Sequence, residues 1–232
     1  HILVKDLLTR LDRPSTVLEM ARVIPLEKAS AEKVKKILEE LSTLQFRGRL
    51  LCDDISLGHL IVVSDHILVI GDGYGFLRHS YAGMDYDGQL AGRLPGEWSR
   101  PELAEYMKTY GIEYALFSGR VWNDYASSHP DLFGLNKELG GYRLYRILNA
   151  DPSLVLKGKA DIDADYDRIS VRRVEAGDLV LKFHYAKWLG ADKGVVLLPE
   201  KILDDPVPFI KCVVPEGVTS FEIGKKKSVS VR

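Results

Sequence analysis

The 232-residue chain is 46% hydrophobic and 28% charged, a globular balance that excludes a disordered protein. Its 32 basic and 33 acidic side chains leave a formal charge of −1, so no positive field argues for general nucleic-acid binding. The length gives room for one large domain or two small ones, each with a core of its own.

No apolar run reaches the length of about 18 residues that spans a bilayer. The first 25 residues mix Lys5, Asp6, Arg10, Asp12 and Arg13 into their apolar positions, which is not a signal-peptide pattern. The chain opens on His1 rather than Met, so a processed piece of a longer protein is expected, which leaves room for a membrane span outside it.

In chain order, Ile2, Leu3, Leu7, Leu8 and Leu11 fit a short helix. Ser30 then reads as the N-cap of a helix over 31–44, with Val34, Ile37, Leu38, Leu41 and Leu44 on one face and lysines and glutamates opposite. Gly48 ends it. Arg49–Cys52 reads as a strand leading into Asp53 and Asp54. The pattern over 56–64 satisfies helix and strand alike.

Ile67–Ile70 predicts a buried strand, followed by Gly71-Asp-Gly-Tyr-Gly-Phe-Leu-Arg-His-Ser-Tyr-Ala-Gly83. This loop permits close backbone approach and displays aromatic and basic groups suited to a polar ligand. After an irregular stretch, Ser99 with Glu102 forms a capping box, Pro101 sits in the first turn, and Gly111 stands at the C′ position of a helix ending at Tyr110. Ile112–Ser118 and Tyr142–Leu148 are further strands. The alternation predicts a small three-layer α/β domain with a mainly parallel sheet, preceded by N-terminal helices. Its ligands would lie beyond the carboxyl ends of the strands, after Ile70 and Ser118.

Composition changes at Asn149-Ala-Asp-Pro-Ser153. Short alternating runs at 169–174, 179–185, 195–198, 209–214 and 219–223, separated by turn residues, predict an all-β sandwich. The expected domains are therefore 1–151 and 152–232. Lys225-Lys-Lys227 reads as a solvated strand end. Cys52 and Cys212 read as buried free thiols or as one long-range disulfide, and sequence leaves both open.

The order of these features, with Arg49-Leu-Leu-Cys-Asp-Asp54, Tyr110-Gly-Ile-Glu-Tyr-Ala-Leu116, Phe183-His-Tyr-Ala-Lys-Trp188 and Pro208-Phe-Ile-Lys-Cys-Val-Val-Pro215-Glu-Gly217, resembles the extracytoplasmic C-terminal region of polytopic, lipid-linked-sugar-dependent membrane glycosyltransferases of the GT-C type. The resemblance implies a domain on the outer side of the cell membrane that is non-catalytic alone. Its partners would be the transmembrane portion of the same polypeptide and a lipid-linked sugar or glycan acceptor. No cofactor is implied. The alternatives are a stand-alone carbohydrate-binding or adaptor protein with Trp188 as platform, and a soluble α/β enzyme acting on a phosphorylated small molecule.

The strongest ligand-binding constellation is Asp72, Tyr74, Arg78, His79 and Tyr81. The arginine can grip a phosphate in bidentate fashion, the histidine adds a donor, and the tyrosines stack on a sugar face. Trp122-Asn-Asp-Tyr-Ala126 is similar to the Trp-Trp-Asp-Tyr-Gly signature of oligosaccharyltransferases but lacks its second Trp and final Gly. Trp122 and Asp124 join the candidates on that basis, with packing on a loop as the plainer role of Trp122 and Tyr125. His184 reads as a satisfied structural histidine. His59 and His66, seven apart, are a weak metal pair. Asp161, Asp163, Asp165 and Asp167 read as an exposed acidic edge, lacking the Gly and Glu of an EF-hand loop. Neither a nucleophile elbow nor a Walker loop is present.

Overall fold

The computed structural model describes residues 28–65, 67–70, 83–85, 87–164, 168–203 and 205–225. Helix α1 (Lys28–Ser42) turns Ile37, Leu38 and Leu41 onto a sheet, while Lys35 and Glu39 pair on its solvent side at 3.6 Å. It begins two residues before Ser30, so the expected cap falls inside the first turn. Helix α2 (Ile55–Asp65) resolves the ambiguous apolar stretch. Asp54 decides it, because its carboxylate accepts the N–H of Leu57 at 2.9 Å and so caps the first turn.

Strands β1 (Arg49–Cys52), β2 (Val69–Ile70), β3 (Ile112–Phe117), β4 (Phe133–Leu139) and β5 (Tyr142–Ile147) form one sheet in the order β2-β1-β3-β5-β4. Period-two alternation sends Leu50, Cys52, Leu116 and Leu144 to the face covered by α1 and α2. It sends Leu51, Ala115, Phe117, Tyr145 and Ile147 to the other face. There they meet helix α3 (Arg100–Thr109), helix α4 (Arg120–Ser128) and the 3₁₀ turn Pro95–Glu97. The capping box at Ser99 and Glu102 is formed, and Gly111 takes φ 65° after α3.

The second half holds β6 (Val155–Lys157), β7 (Asp161–Ala164), β8 (Ile169–Arg172), β9 (Gly177–His184), β10 (Leu189–Ala191), β11 (Val196–Glu200), β12 (Phe209–Val214) and β13 (Ser220–Lys225). They make two four-stranded antiparallel sheets, β11-β12-β9-β6 and β10-β13-β8-β7. Leu181, Phe183, Ile210 and Cys212 of the first share a core with Val171, Leu189, Phe221 and Ile223 of the second.

These pairings correct the expected fold class. Strand outweighs helix, two of the three sheets are wholly antiparallel and the five-stranded one is mixed, so the protein is not built on a mainly parallel three-layer α/β domain. Among the described residues only β1 with β2 and β1 with β3 run parallel. The physical reason is the Gly140-Gly141 turn. With φ of 57° and 94° the two glycines close a two-residue hairpin between β4 and β5, which inserts β5 antiparallel between β3 and β4.

The halves meet on the outer face of β9, whose last six residues are buried on both sides. Val180 and Phe209 enter the same apolar cluster as Leu103, Tyr110 and Ile112, so one core runs across the linker at 149–153. The approach is close. A Cβ on Gly48 would lie 2.4 Å from the main-chain oxygen of Gly111 and 3.1 Å from Pro152, so only glycine fits at the entry to β1.

Candidate functional site

The carboxyl ends of β1, β2 and β3 lie at one edge of the five-stranded sheet, because these three strands are parallel. Asp53 follows β1 there. Its carboxylate accepts the N–H of Ser118 at 2.8 Å, the N–H of Gly119 at 2.7 Å and the hydroxyl of Ser118 at 3.2 Å. Gly119 is the N-cap of α4 and has no side chain to offer, so Asp53 supplies the cap from another strand. Burial raises the Asp53 carboxyl above its usual range, against the opposing pull of those N–H groups.

Asp54 is equally committed. One oxygen caps α2 and the other accepts the Tyr142 hydroxyl at 2.6 Å. Burial, and then that bond to Asp54, push the Tyr142 phenol well above its ordinary range. Asn123 donates to the main-chain oxygens of Phe117 at 3.2 Å and Gly119 at 3.0 Å, and accepts the Tyr145 hydroxyl at 3.1 Å. A shallow depression of about 380 Å³ beside these groups is lined by Arg120, Asn123, Asp124, Glu138, Tyr142 and Arg143. Its charges pair internally, Arg120 with Asp124 at 3.1 Å and Arg143 with Glu138 at 3.0 Å.

Of the sequence candidates, Asp72, Tyr74, Arg78, His79 and Tyr81 lie outside the described residues. Ile70, after which their loop begins, pairs with Leu51 and ends at the edge that carries Asp53. Trp122 is placed on α4 rather than on a loop, and it is 2% exposed. Its ring stacks on Phe117 with centroids 5.3 Å apart, and its indole N–H donates to the oxygen of Gly88 at 2.7 Å. No face of it is open to a sugar. Asp124 sits two residues on, exposed and paired with Arg120. Tyr125 is half-buried and stacked on His129 at 4.1 Å.

His66, Asp165, Asp167 and the side chain of His59 lie outside the described residues. Asp161 pairs with Arg173 and Asp163 with Arg172, from β7 to the end of β8 and the residue after it. Among the described residues no group of three or more His, Cys, Asp or Glu is placed to hold a metal ion. Cys52 and Cys212 are both free and buried, in separate cores.

The other concentration of polar groups is the seam between the halves. Arg49, fully buried, donates from Nη1 to the oxygen of Tyr110 and from Nη2 to that of Lys182, each at 2.6 Å, and lies 4.6 Å from the Phe183 ring centroid. Lys182 sends its ammonium to the oxygens of Lys108 at 2.6 Å and Asp151 at 3.1 Å, and to the Asp151 carboxylate at 3.2 Å. His184 Nε2 meets Asp205 Oδ2 at 2.8 Å, and the Tyr110 hydroxyl donates to the same oxygen. Burial works to raise the Asp205 carboxyl, but the bonds from His184 and Tyr110 bring it below its usual range.

Sequence reading missed Asp53, Asp54, Arg49 and Asp205 as organising residues. A signal existed for the first three: two acids directly after an apolar strand, and an arginine inside one. Asp205 also accepts the N–H of Val207 at 2.8 Å, but the two partners that place it in the seam are 21 and 95 positions away.

No protein-family model, curated protein or solved structure matches the chain. Chemically, the carboxylates at the sheet edge are spent on backbone N–H groups and a phenol. They hold geometry and are not free bases.

Proposed function

We propose that the chain is an extracytoplasmic domain of a membrane glycosyltransferase, assisting the binding of acceptor or lipid-linked sugar and non-catalytic by itself. The order of elements along the chain motivates this reading. The observation that carries it is the commitment of Asp53 and Asp54. At the sheet edge where an α/β enzyme keeps its reactive groups, these acids lock α4, α2 and Tyr142 in place. In this reading the transmembrane portion of the same polypeptide is the partner that supplies the transfer chemistry.

The alternative of a soluble enzyme acting on a phosphorylated small molecule is less favoured by the same geometry. The Asp53 carboxylate already occupies the amides of Ser118 and Gly119 that an anion would use.

The test is glycosyl transfer from a lipid-linked sugar by the whole membrane protein, by that protein with residues 28–225 deleted, and by the domain alone. The reading expects transfer by the first, reduced transfer by the second and none by the third. Transfer or glycoside hydrolysis by the isolated domain would refute it.

A further inference from the structure

At the opposite edge of the five-stranded sheet, a cleft of about 790 Å³ opens between the two halves. One wall is the segment from the end of α1 to Gly48, with Gln45, Phe46 and Arg47 at its rim. The other is residues 160–164, which include β7, and Leu68 with Leu154 closes the base. Its size falls in the range of about 300–1,000 Å³ usual for small-ligand sites, and such sites favour interfaces between structural units.

We infer that this cleft binds a neutral oligosaccharide, the glycan acceptor of the function proposed above, on which this inference rests. The chemistry of the lining leads there. Phe46 is half-buried, its ring held against Tyr114 at 5.0 Å, and lines the cleft. Around it stand an amide (Gln45), a guanidinium (Arg47), two carboxylates (Asp161 and Asp163) and two hydroxyls (Ser42 and Ser153), all exposed. Planar polar groups beside an apolar ring suit a ligand with hydroxyls on its rim and C–H groups on its faces.

Charge makes no strong demand for an ion beyond one guanidinium. Asp161 and Asp163 are matched by Arg173 and Arg172, which leaves Arg47 as the one lining charge without an ion-pair partner among the described residues. The main chain adds capacity, because β7 is an edge strand paired only with β8, and its outer N–H and C=O groups face no other strand among the described residues. The cleft is also preformed. Its walls belong to the two halves that Arg49, Lys182 and Asp205 tie together, so little ordering cost opposes binding.

The experiment is amide-resolved NMR titration of the domain with maltotriose, chitotriose and mannotriose, with inorganic phosphate as the anionic control. The expected result is saturable shifts at Gln45, Arg47 and 160–163 with at least one trisaccharide and none there with phosphate. Gln45→Ala and Asp163→Ala change exposed side chains and should keep the fold while weakening binding about tenfold each, the worth of one hydrogen bond to a polar or charged group. No shifts with any sugar, shifts centred instead on 118–124, or affinity unchanged in both variants would overturn the assignment. The glycosyl-transfer comparison is independent of this outcome: loss of the cleft leaves the proposed function standing, whereas transfer by the domain alone removes both.

Discussion

Arg49 in β1 hydrogen-bonds through Nη2 to the main-chain oxygen of Lys182 in β9, 133 positions away, while Nη1 holds Tyr110 at the end of α3. One guanidinium thus ties β1 of the first sheet to β9 of the second half. Burial lowers the Arg49 pKa to about 9, so the side chain is cationic at neutral pH, with two carbonyls as its hydrogen-bond acceptors.

Removing that side chain should be costly. Arg49→Met removes the guanidinium bonds to the buried carbonyls of Tyr110 and Lys182, and the expected loss is about 2–5 kcal/mol. Arg49→Lys should recover little, because one ammonium does not reproduce the planar fork that reaches both oxygens. Urea unfolding of the three proteins checks this; a loss under about 0.5 kcal/mol in Arg49→Met would mean the seam does not depend on it.

Gly48 gives a steric test of the same seam. Gly48→Ala places a methyl 2.4 Å from the oxygen of Gly111, so the halves must separate or the strand must shift. A loss of about 3 kcal/mol or more is expected, against less than about 0.5 kcal/mol for Gly96→Ala, whose added Cβ meets nothing within 4 Å. Thermal melts of the pair decide it.

Asp205 should make stability acid-sensitive. Its folded pKa lies below its unfolded value, so its contribution is complete above the ordinary carboxylate pKa of about 3.9 and is lost as pH falls through the depressed folded value. The stability gap between wild type and Asp205→Asn is therefore expected to narrow from pH 7 to pH 3. A gap that stays constant over that range would show that the carboxylate is not ionised in the bond with His184.

The thiols should be silent. Burial raises both, Cys212 to about 12 and Cys52 further, which leaves almost no thiolate at neutral pH. Native protein is expected to react with neither equivalent of a thiol reagent over the time in which urea-unfolded protein reacts with two. Fast labelling of the native chain would contradict the burial of both.

Much of the local structure was legible because it is written in short-range chemistry. The apolar stripe of α1, the Ser99–Glu102 box with Gly111 after α3, and the turn-punctuated runs of the second half each need only a few neighbouring residues. The mixed sheet was not, although Gly140-Gly141 is a strong hairpin signal, because the strand over 133–139 has exposed residues at its centre and no clean alternation. A bulge between Leu135 and Lys137 breaks the period there. The seam was illegible for a different reason: Arg49, Lys182 and Asp205 take their part in it from partners 21 to 133 positions away, and no local pattern encodes such pairing. Trp122 enters the candidate set through a partial motif, although its helical spacing to Tyr125 and Ala126 already fits a buried face.

The central claim, a domain displayed outside the membrane and joined to membrane-spanning polypeptide, is most directly tested by labelling in intact cells. Arg120→Cys introduces a thiol at a side chain 91% exposed, against two native thiols that are buried. In the whole protein, with a membrane-impermeant maleimide, the account predicts labelling of intact cells and recovery of the label in the membrane fraction. Labelling only after lysis, in a soluble chain free of the membrane, would contradict it.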